Sequence, residues 1–218
     1  MGGTCGLEST GHSWTKRRLT ELESQRQKTV TVFGSGMPME GNAFYEEASE
    51  LGRELARAGF VLCNGGYGGI MEASARGAKE AGGRTIGITT RAFGCGANPW
   101  IDQEICEETH ADRLAKLIEL GDAYVVLRGG TGTLVELAMV WEYRNKRLMA
   151  EKPIVVLGDF WKSVIDLLYE VLRQEGLETS TALTGSTRYV RVVETLEECM
   201  TIIKEELRVK DSRQRRRE

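Results

Sequence analysis

The chain lacks any run of about 18 apolar residues, the length a bilayer-spanning helix requires. Its first 28 residues, MGGTCGLESTGHSWTKRRLTELESQRQK, also lack the apolar stretch of a secretory leader. There is no excess of positive charge: 29 Lys and Arg stand against 32 Asp and Glu, for a formal net charge of -3. This balance argues against a broad basic face for nucleic acid or anionic lipid, so neither a nucleic-acid nor a membrane partner is expected. Histidine is scarce, with only His12 and His110, and the five cysteines (Cys5, Cys63, Cys95, Cys106, Cys199) contain no C-x-x-C. No zinc site is predicted, and the cysteines read as reduced thiols of a soluble cytoplasmic protein. No G-K-[ST] occurs, which excludes a Walker A loop.

What is present suits one folded unit. At 218 residues, 41% hydrophobic and 28% charged, the chain is long enough for one well-buried core and too short for two comfortable domains. Residues 1–28 read as a flexible polar extension with a short helix at 17–27. Residues 29–207 form the domain, and 208–218, ending RQRRRE, a solvated basic tail. Within the domain, short β-rich runs at 29–33, 60–63, 84–89, 123–127, 153–157 and 189–193 alternate with helical periods at 42–58, 69–81, 110–120, 133–147, 160–175 and 195–207. The strand runs lack polar alternation, as strands buried on both faces do. The pattern predicts a doubly wound, mostly parallel, Rossmann-like α/β sheet with helices on both faces and ligands at the carboxyl ends of its strands. The longest irregular piece, 90–109, has the length of a binding loop or lid.

Three strand ends carry glycines: FGSGMP (33–38), NGGYGGIME (64–72) and RGGTGTLVE (128–136). None completes G-x-G-x-x-G, because Met39, Met71 and Val135 occupy the third glycine position. Glycine still lets the backbone approach a ligand closely, and a following helix offers free N–H groups and partial positive charge to a phosphate. In the third loop the hydroxyls of Thr131 and Thr133 add donors to those amides.

RGGTGTLVE resembles the P-G-G-x-G-T-x-x-E motif of the Lonely-Guy (LOG) family of phosphoribohydrolases, long mislabelled as lysine decarboxylases. Fifteen residues ahead of the motif those proteins carry an arginine, matched by Arg113, and NGGYGGIMEASARGAKEAGGRTIGI resembles their first glycine loop, helix and strand. The likeness spans about residues 29–207. It implies a hydrolase that cleaves the N-glycosidic bond of a nucleoside 5′-monophosphate, of the AMP or cytokinin riboside monophosphate class, to free base and ribose 5-phosphate, without a cofactor. It further implies Arg113 and Glu136 as the catalytic pair and Gly129, Gly130, Thr131, Gly132 and Thr133 as the phosphate loop. Gly34, Ser35, Gly65, Gly66, Gly68, Gly69 and Met71 would shape the nucleoside pocket. A homodimer or higher homo-oligomer is implied as well, and helix 133–147, with Met139, Trp141 and Tyr143 around much of its circumference, has apolar surface for a partner as well as for the sheet.

Each assignment has a plainer counterpart. Thr133-Leu-Val-Glu136 has the spacing of a capping box, which would tie the carboxylate to its own backbone. Arg113 shares a stripe with Leu114, Leu117 and Ile118, as a side chain snorkelling from the core edge would; in the catalytic reading it orients substrate or assists the leaving group. His110 is explained by a helix start at THAD, and Phe93 and Trp100 are either base covers or loop anchors. Arg128 replaces the motif's proline, adding a charge that either binds a second phosphate or points to solvent. Lysine decarboxylation lacks a residue to support it, since no H-K pair for a pyridoxal phosphate Schiff base occurs. The competing class is a carrier of nucleotide or molybdenum cofactor with the same loops and no hydrolysis.

Overall fold

The computed structural model describes residues 26–174 and 189–215. Most of the N-terminal extension, with its expected short helix, lies outside them. The chain runs β1 (Thr29–Phe33), α1 (Ala43–Arg57), β2 (Val61–Asn64), α2 (Ile70–Glu80), β3 (Thr85–Thr90), β4 (Gln103–Glu107), α3 (His110–Leu120), β5 (Ala123–Val126), α4 (Thr131–Asn145), β6 (Ile154–Leu157), α5 (Lys162–Gln174), β7 (Val190–Val193) and α6 (Leu196–Arg215). The strands form one sheet of order β4-β3-β2-β1-β5-β6-β7, every pairing parallel. This is the predicted doubly wound architecture.

Two-sided burial explains the continuous apolar strands. Val30, Val32, Val125, Val155 and Leu157 face a core shared with α1, α2 and α6. Phe33, Tyr124, Val126, Ile154 and Val156 face the opposite core, with Leu117, Leu137 and Ile165 from α3, α4 and α5. Alternation along each strand thus sorts side chains between two apolar layers rather than between core and water. Trp141 of α4 is 4% exposed and packs at a tilt against Tyr169 of α5, ring centroids 5.1 Å apart, so core packing accounts for it.

Two expectations need correction. The segment 90–109 is not irregular throughout: Gln103–Glu107 adds β4 at the sheet edge, paired from Ile86↔Gln103 to Thr90↔Glu107. Its sequence QEICE is partly exposed along its length and carries no apolar run, as suits an edge strand that must not recruit another chain. Cys95 and Cys106 are joined by a disulfide, their Cα atoms 5.9 Å apart, because the turn after β3 folds back beside β4. Cys63 and Cys199 remain buried free thiols. The backbone of α6 is helical as far as Arg215. Among the described residues no helix is long and apolar enough to cross a membrane, and no cluster of three or more His, Cys, Asp or Glu is placed to hold a metal ion.

Candidate functional site

The chain lays β1 to β4 outward in one direction and then returns to place β5 on the other side of β1. The crevice at this reversal is where a doubly wound sheet accepts ligands. The loops leaving β1, β2 and β5 meet there through backbone bonds. Ser35 N donates to Arg128 O at 3.0 Å, and Ile70 N donates to Ser35 O at 2.8 Å. Gly34 to Gly36, Gly65 to Gly69 and the start of RGGTGT are therefore joined into one floor. Gly69 has a φ of +67°, and a Cβ there would run into Ser35 O and the Gly36 backbone, so only glycine turns this corner without strain.

Asn64, fully buried at the end of β2, holds the second glycine loop in shape. Its Oδ1 accepts from Gly66 N at 2.8 Å, and its Nδ2 donates to Met71 O at 2.7 Å and to Ser74 Oγ at 3.1 Å. Tyr67, at the tip of that loop, ties it to the segment after β3: its hydroxyl accepts from Thr90 N at 2.9 Å and donates to Gly94 O at 3.1 Å. Asn98 Nδ2 adds donations to the carbonyls of Gly66 (3.0 Å) and Tyr67 (2.8 Å). Neither Asn64 nor Tyr67 stood out in the sequence, although a lone amide ending an apolar strand directly before two glycines is the available signal.

Arg113 enters from the first turn of α3, whose N-cap Thr109 accepts from Asp112 N. It is 5% exposed, which excludes a snorkelling side chain. Nε donates to Ile88 O at 2.8 Å and Nη2 to Gly65 O at 3.3 Å, with Met71 Sδ 3.9 Å from Nη2. The Tyr67 ring lies 5.5 Å from the guanidinium carbon. A Cβ at position 65 would overlap Nη2, so the glycine is required by the arginine rather than by the turn. Nη1 stands 3.8 Å from Glu136 Oε1, an ion pair too long for a hydrogen bond.

Glu136 belongs to α4, which starts at Thr131 with Gly130 as its N-cap and no side-chain capping bond. The capping-box reading therefore fails: Thr133 lies inside the first turn, buried beneath Gly129, and Glu136 lies in the second turn facing Arg113. Burial pushes the Glu136 carboxyl up to about 7, against the opposing pull of Arg113. The same burial lowers the Arg113 pKa, with Glu136 resisting. At the mouth of this helix the first amide to bond internally is Leu134 N, to Gly130 O at 3.0 Å. The amides of Thr131, Gly132 and Thr133 precede it and are available to an anion.

Phe93 is 62% exposed, its ring 5.1 Å from His110 and 6.3 Å from Tyr67. His110 Nδ1 is buried without a partner among the described residues, and burial together with Arg113 lowers its pKa. Trp100 lies elsewhere: its carbonyl accepts from Thr85 Oγ1 at 2.7 Å, at the amino end of β3, and Arg76 sits 5.6 Å over its ring. It is a loop anchor.

Three comparisons bear on this arrangement. The chain is 37% identical over 128 residues to a protein of Archaeoglobus fulgidus, covering 59% of this chain and 82% of that one. It is 34% identical over 140 residues to the cytokinin riboside 5′-monophosphate phosphoribohydrolase of Rhodococcoides fascians, covering 61% and 68%. Among solved structures, the molybdenum cofactor binding protein of the phototrophic bacterium Rippkaea orientalis superposes with a TM-score of 0.64 at 26% identity, covering 84% of this chain and 99% of that one. The model of the SLOG cluster4 family matches residues 27–187. On that match, and with the LOG-type relatives beside it, the chain belongs to the SLOG cluster4 family.

Proposed function

We propose that the chain is a hydrolase that cleaves the N-glycosidic bond of a nucleoside 5′-monophosphate, of the AMP or cytokinin riboside monophosphate class, giving free base and ribose 5-phosphate. The observation that carries this reading is the buried Glu136 carboxylate held 3.8 Å from the buried Arg113 guanidinium, in the second turn of the helix whose first amides are open. The curated relatives named as phosphoribohydrolases support it.

Cleavage passes through an oxocarbenium-like state, with positive charge growing on the sugar carbon and negative charge leaving on the base. The 5′-phosphate docks on Gly129, Gly130, Thr131, Gly132 and Thr133, fixing the ribose relative to α4. Ionised Glu136 then stabilises the sugar cation and orients the attacking water. Arg113 favours the ionised carboxylate and fixes its direction through its own bonds to Ile88 O and Gly65 O. Gly34, Ser35, Gly65, Gly66, Gly68, Gly69 and Met71 border the nucleoside, with Phe93 available to cover the base. In this reading the protein is a homodimer or higher homo-oligomer. Val135 of α4 and Leu167, Leu168 and Val171 of α5, between 40% and 64% exposed, supply an apolar face for the second copy.

The test is incubation with AMP and with cytokinin riboside monophosphates while free base is followed by chromatography, wild type against Glu136→Gln. Base release by the wild type alone supports the hydrolase. Tight nucleotide binding with no base from either protein would transfer support to a carrier function, to which the solved molybdenum cofactor proteins are the pointer.

A further inference from the structure

Arg128 occupies the position at which LOG-type motifs carry proline, and the structure gives its side chain a defined seat. The guanidinium carbon lies 4.6 Å from the centroid of the Phe44 ring and 4.6 Å from that of Phe160. Phe44 lies in the first turn of α1, and Phe160 belongs to the loop after β6, so two separate parts of the fold supply the rings. Both rings are partly exposed, at 36% and 43%. Arg128 itself is exposed, and a guanidinium that rests on aromatic rings keeps N–H groups with which arginine can grip a phosphate through two parallel bonds. Among the described residues no carboxylate forms an ion pair with Arg128. Its own carbonyl anchors Ser35 N, and the residues that follow it are the amides opening α4.

An exposed cation seated on two rings therefore belongs to the residue that leads directly into the loop and amides proposed for the 5′-phosphate. One phosphate occupying those amides leaves the edge of Arg128 for a further anionic group attached to it. We propose that Arg128 is a specificity-determining residue that receives a second phosphate, so that the site prefers a nucleoside 5′-diphosphate to the corresponding monophosphate. This rests on the hydrolase reading above and extends its substrate class. The reaction is unchanged in kind: the C1′–N bond breaks with its electron pair going to the base nitrogen, which takes up a proton. Water supplies the oxygen bonded to C1′ and gives up a proton. The second phosphate stays on the sugar product, and no further reactant is needed.

The experiment compares adenine release from ADP and AMP by the full chain and by Arg128→Gln. The wild type is expected to show the higher kcat/KM with ADP, and Arg128→Gln to lower the ADP-to-AMP ratio by about tenfold or more, the loss of one bidentate charged contact. A wild type that prefers AMP, or a ratio that Arg128→Gln leaves within about twofold, overturns the proposal. If Arg128→Gln does not fold, Arg128→Lys carries the test, with a smaller fall in the ratio because an ammonium offers no planar fork. Titration calorimetry with inorganic pyrophosphate and inorganic phosphate separates this proposal from the hydrolase reading. With no base released from either nucleotide, the hydrolase reading fails, yet tighter pyrophosphate binding that Arg128→Gln selectively weakens still sustains the second-phosphate role. Equal affinities for the two anions in the wild type, or equal weakening of both in the variant, removes it.

Discussion

Glu136 is the residue on which the chemistry turns, and its burial yields two predictions of related sign. Replacing it by Gln keeps the shape of the side chain and removes the negative charge, so base release is expected to fall by about 100-fold or more while the fold persists; chromatography and a melting curve check the two halves. The second prediction concerns pH. The folded-state pKa of about 7 lies above the ordinary carboxyl value of 4.5, so between these values the native state binds a proton that the unfolded chain has released. Stability associated with this group is present below the unfolded value and is lost as pH rises through about 7. Activity moves the other way, because the ionised form faces the sugar cation. The wild type should therefore gain kcat/KM, which reports the free enzyme, with an inflection near pH 7 while its Tm declines over the same range, and Glu136→Gln should flatten that part of the Tm profile. A kcat/KM that instead falls through this inflection would mean that the protonated form is the working one.

At the scale of elements, the site depends on how closely a loop and a helix side chain approach. Gly65→Ala puts a methyl group where Arg113 Nη2 now lies. Displacing the guanidinium should lower kcat/KM by about tenfold or more, with a stability cost of about 1–3 kcal/mol from overpacking; kinetics and denaturant titration separate the two effects. The disulfide between Cys95 and Cys106 closes a short loop beside Gly94, whose carbonyl receives the Tyr67 hydroxyl. Cys95→Ser is expected to cost about 2–4 kcal/mol in the chain-entropy model, measured by chemical denaturation under non-reducing conditions.

These elements also show what the sequence could and could not convey. The buried strands were legible because parallel strands covered on both faces must be apolar throughout, and the RGGTGT loop because glycines and a following helical period announce an open helix start. The fifteen-residue spacing from Arg113 to Arg128 marked the arginine, but its bonds to Ile88 O and Gly65 O depend on β2 and β3 lying side by side, which no local pattern encodes. β4 was hidden because an edge strand needs neither apolar alternation nor β-branched residues, and the cysteine pair because its proximity follows from β4. The capping-box spacing misled for a local reason: Gly130 and not Thr133 ends the loop, so α4 begins two residues early.

For the whole molecule, surface composition bears on assembly. Leu167, Leu168 and Val171 lie close together in sequence on α5, each at least 40% exposed. A charge placed there should not disturb the core but should oppose a dry contact between copies. Leu168→Glu is expected to convert an oligomer to monomers at micromolar concentration, read by sedimentation velocity, with Tm lowered only to the extent that association stabilised the subunit. A species unchanged in mass would move the contact to another face.

The pairing of β1 with β5 joins Val30 to Ala123 and Phe33 to Val126, residues separated by about half the length of the domain. During synthesis, a chain that has emerged only as far as α3 possesses the Ser35 turn and the Gly65 turn but not the wall that Arg128 and α4 complete. Recognition is thus a property of late closure rather than of any early folding unit, because the ordering entropy of that long connection is met before the crevice exists. A ligand that spans both sides would then serve as a clasp on the finished sheet, slowing its opening more than it hastens its formation.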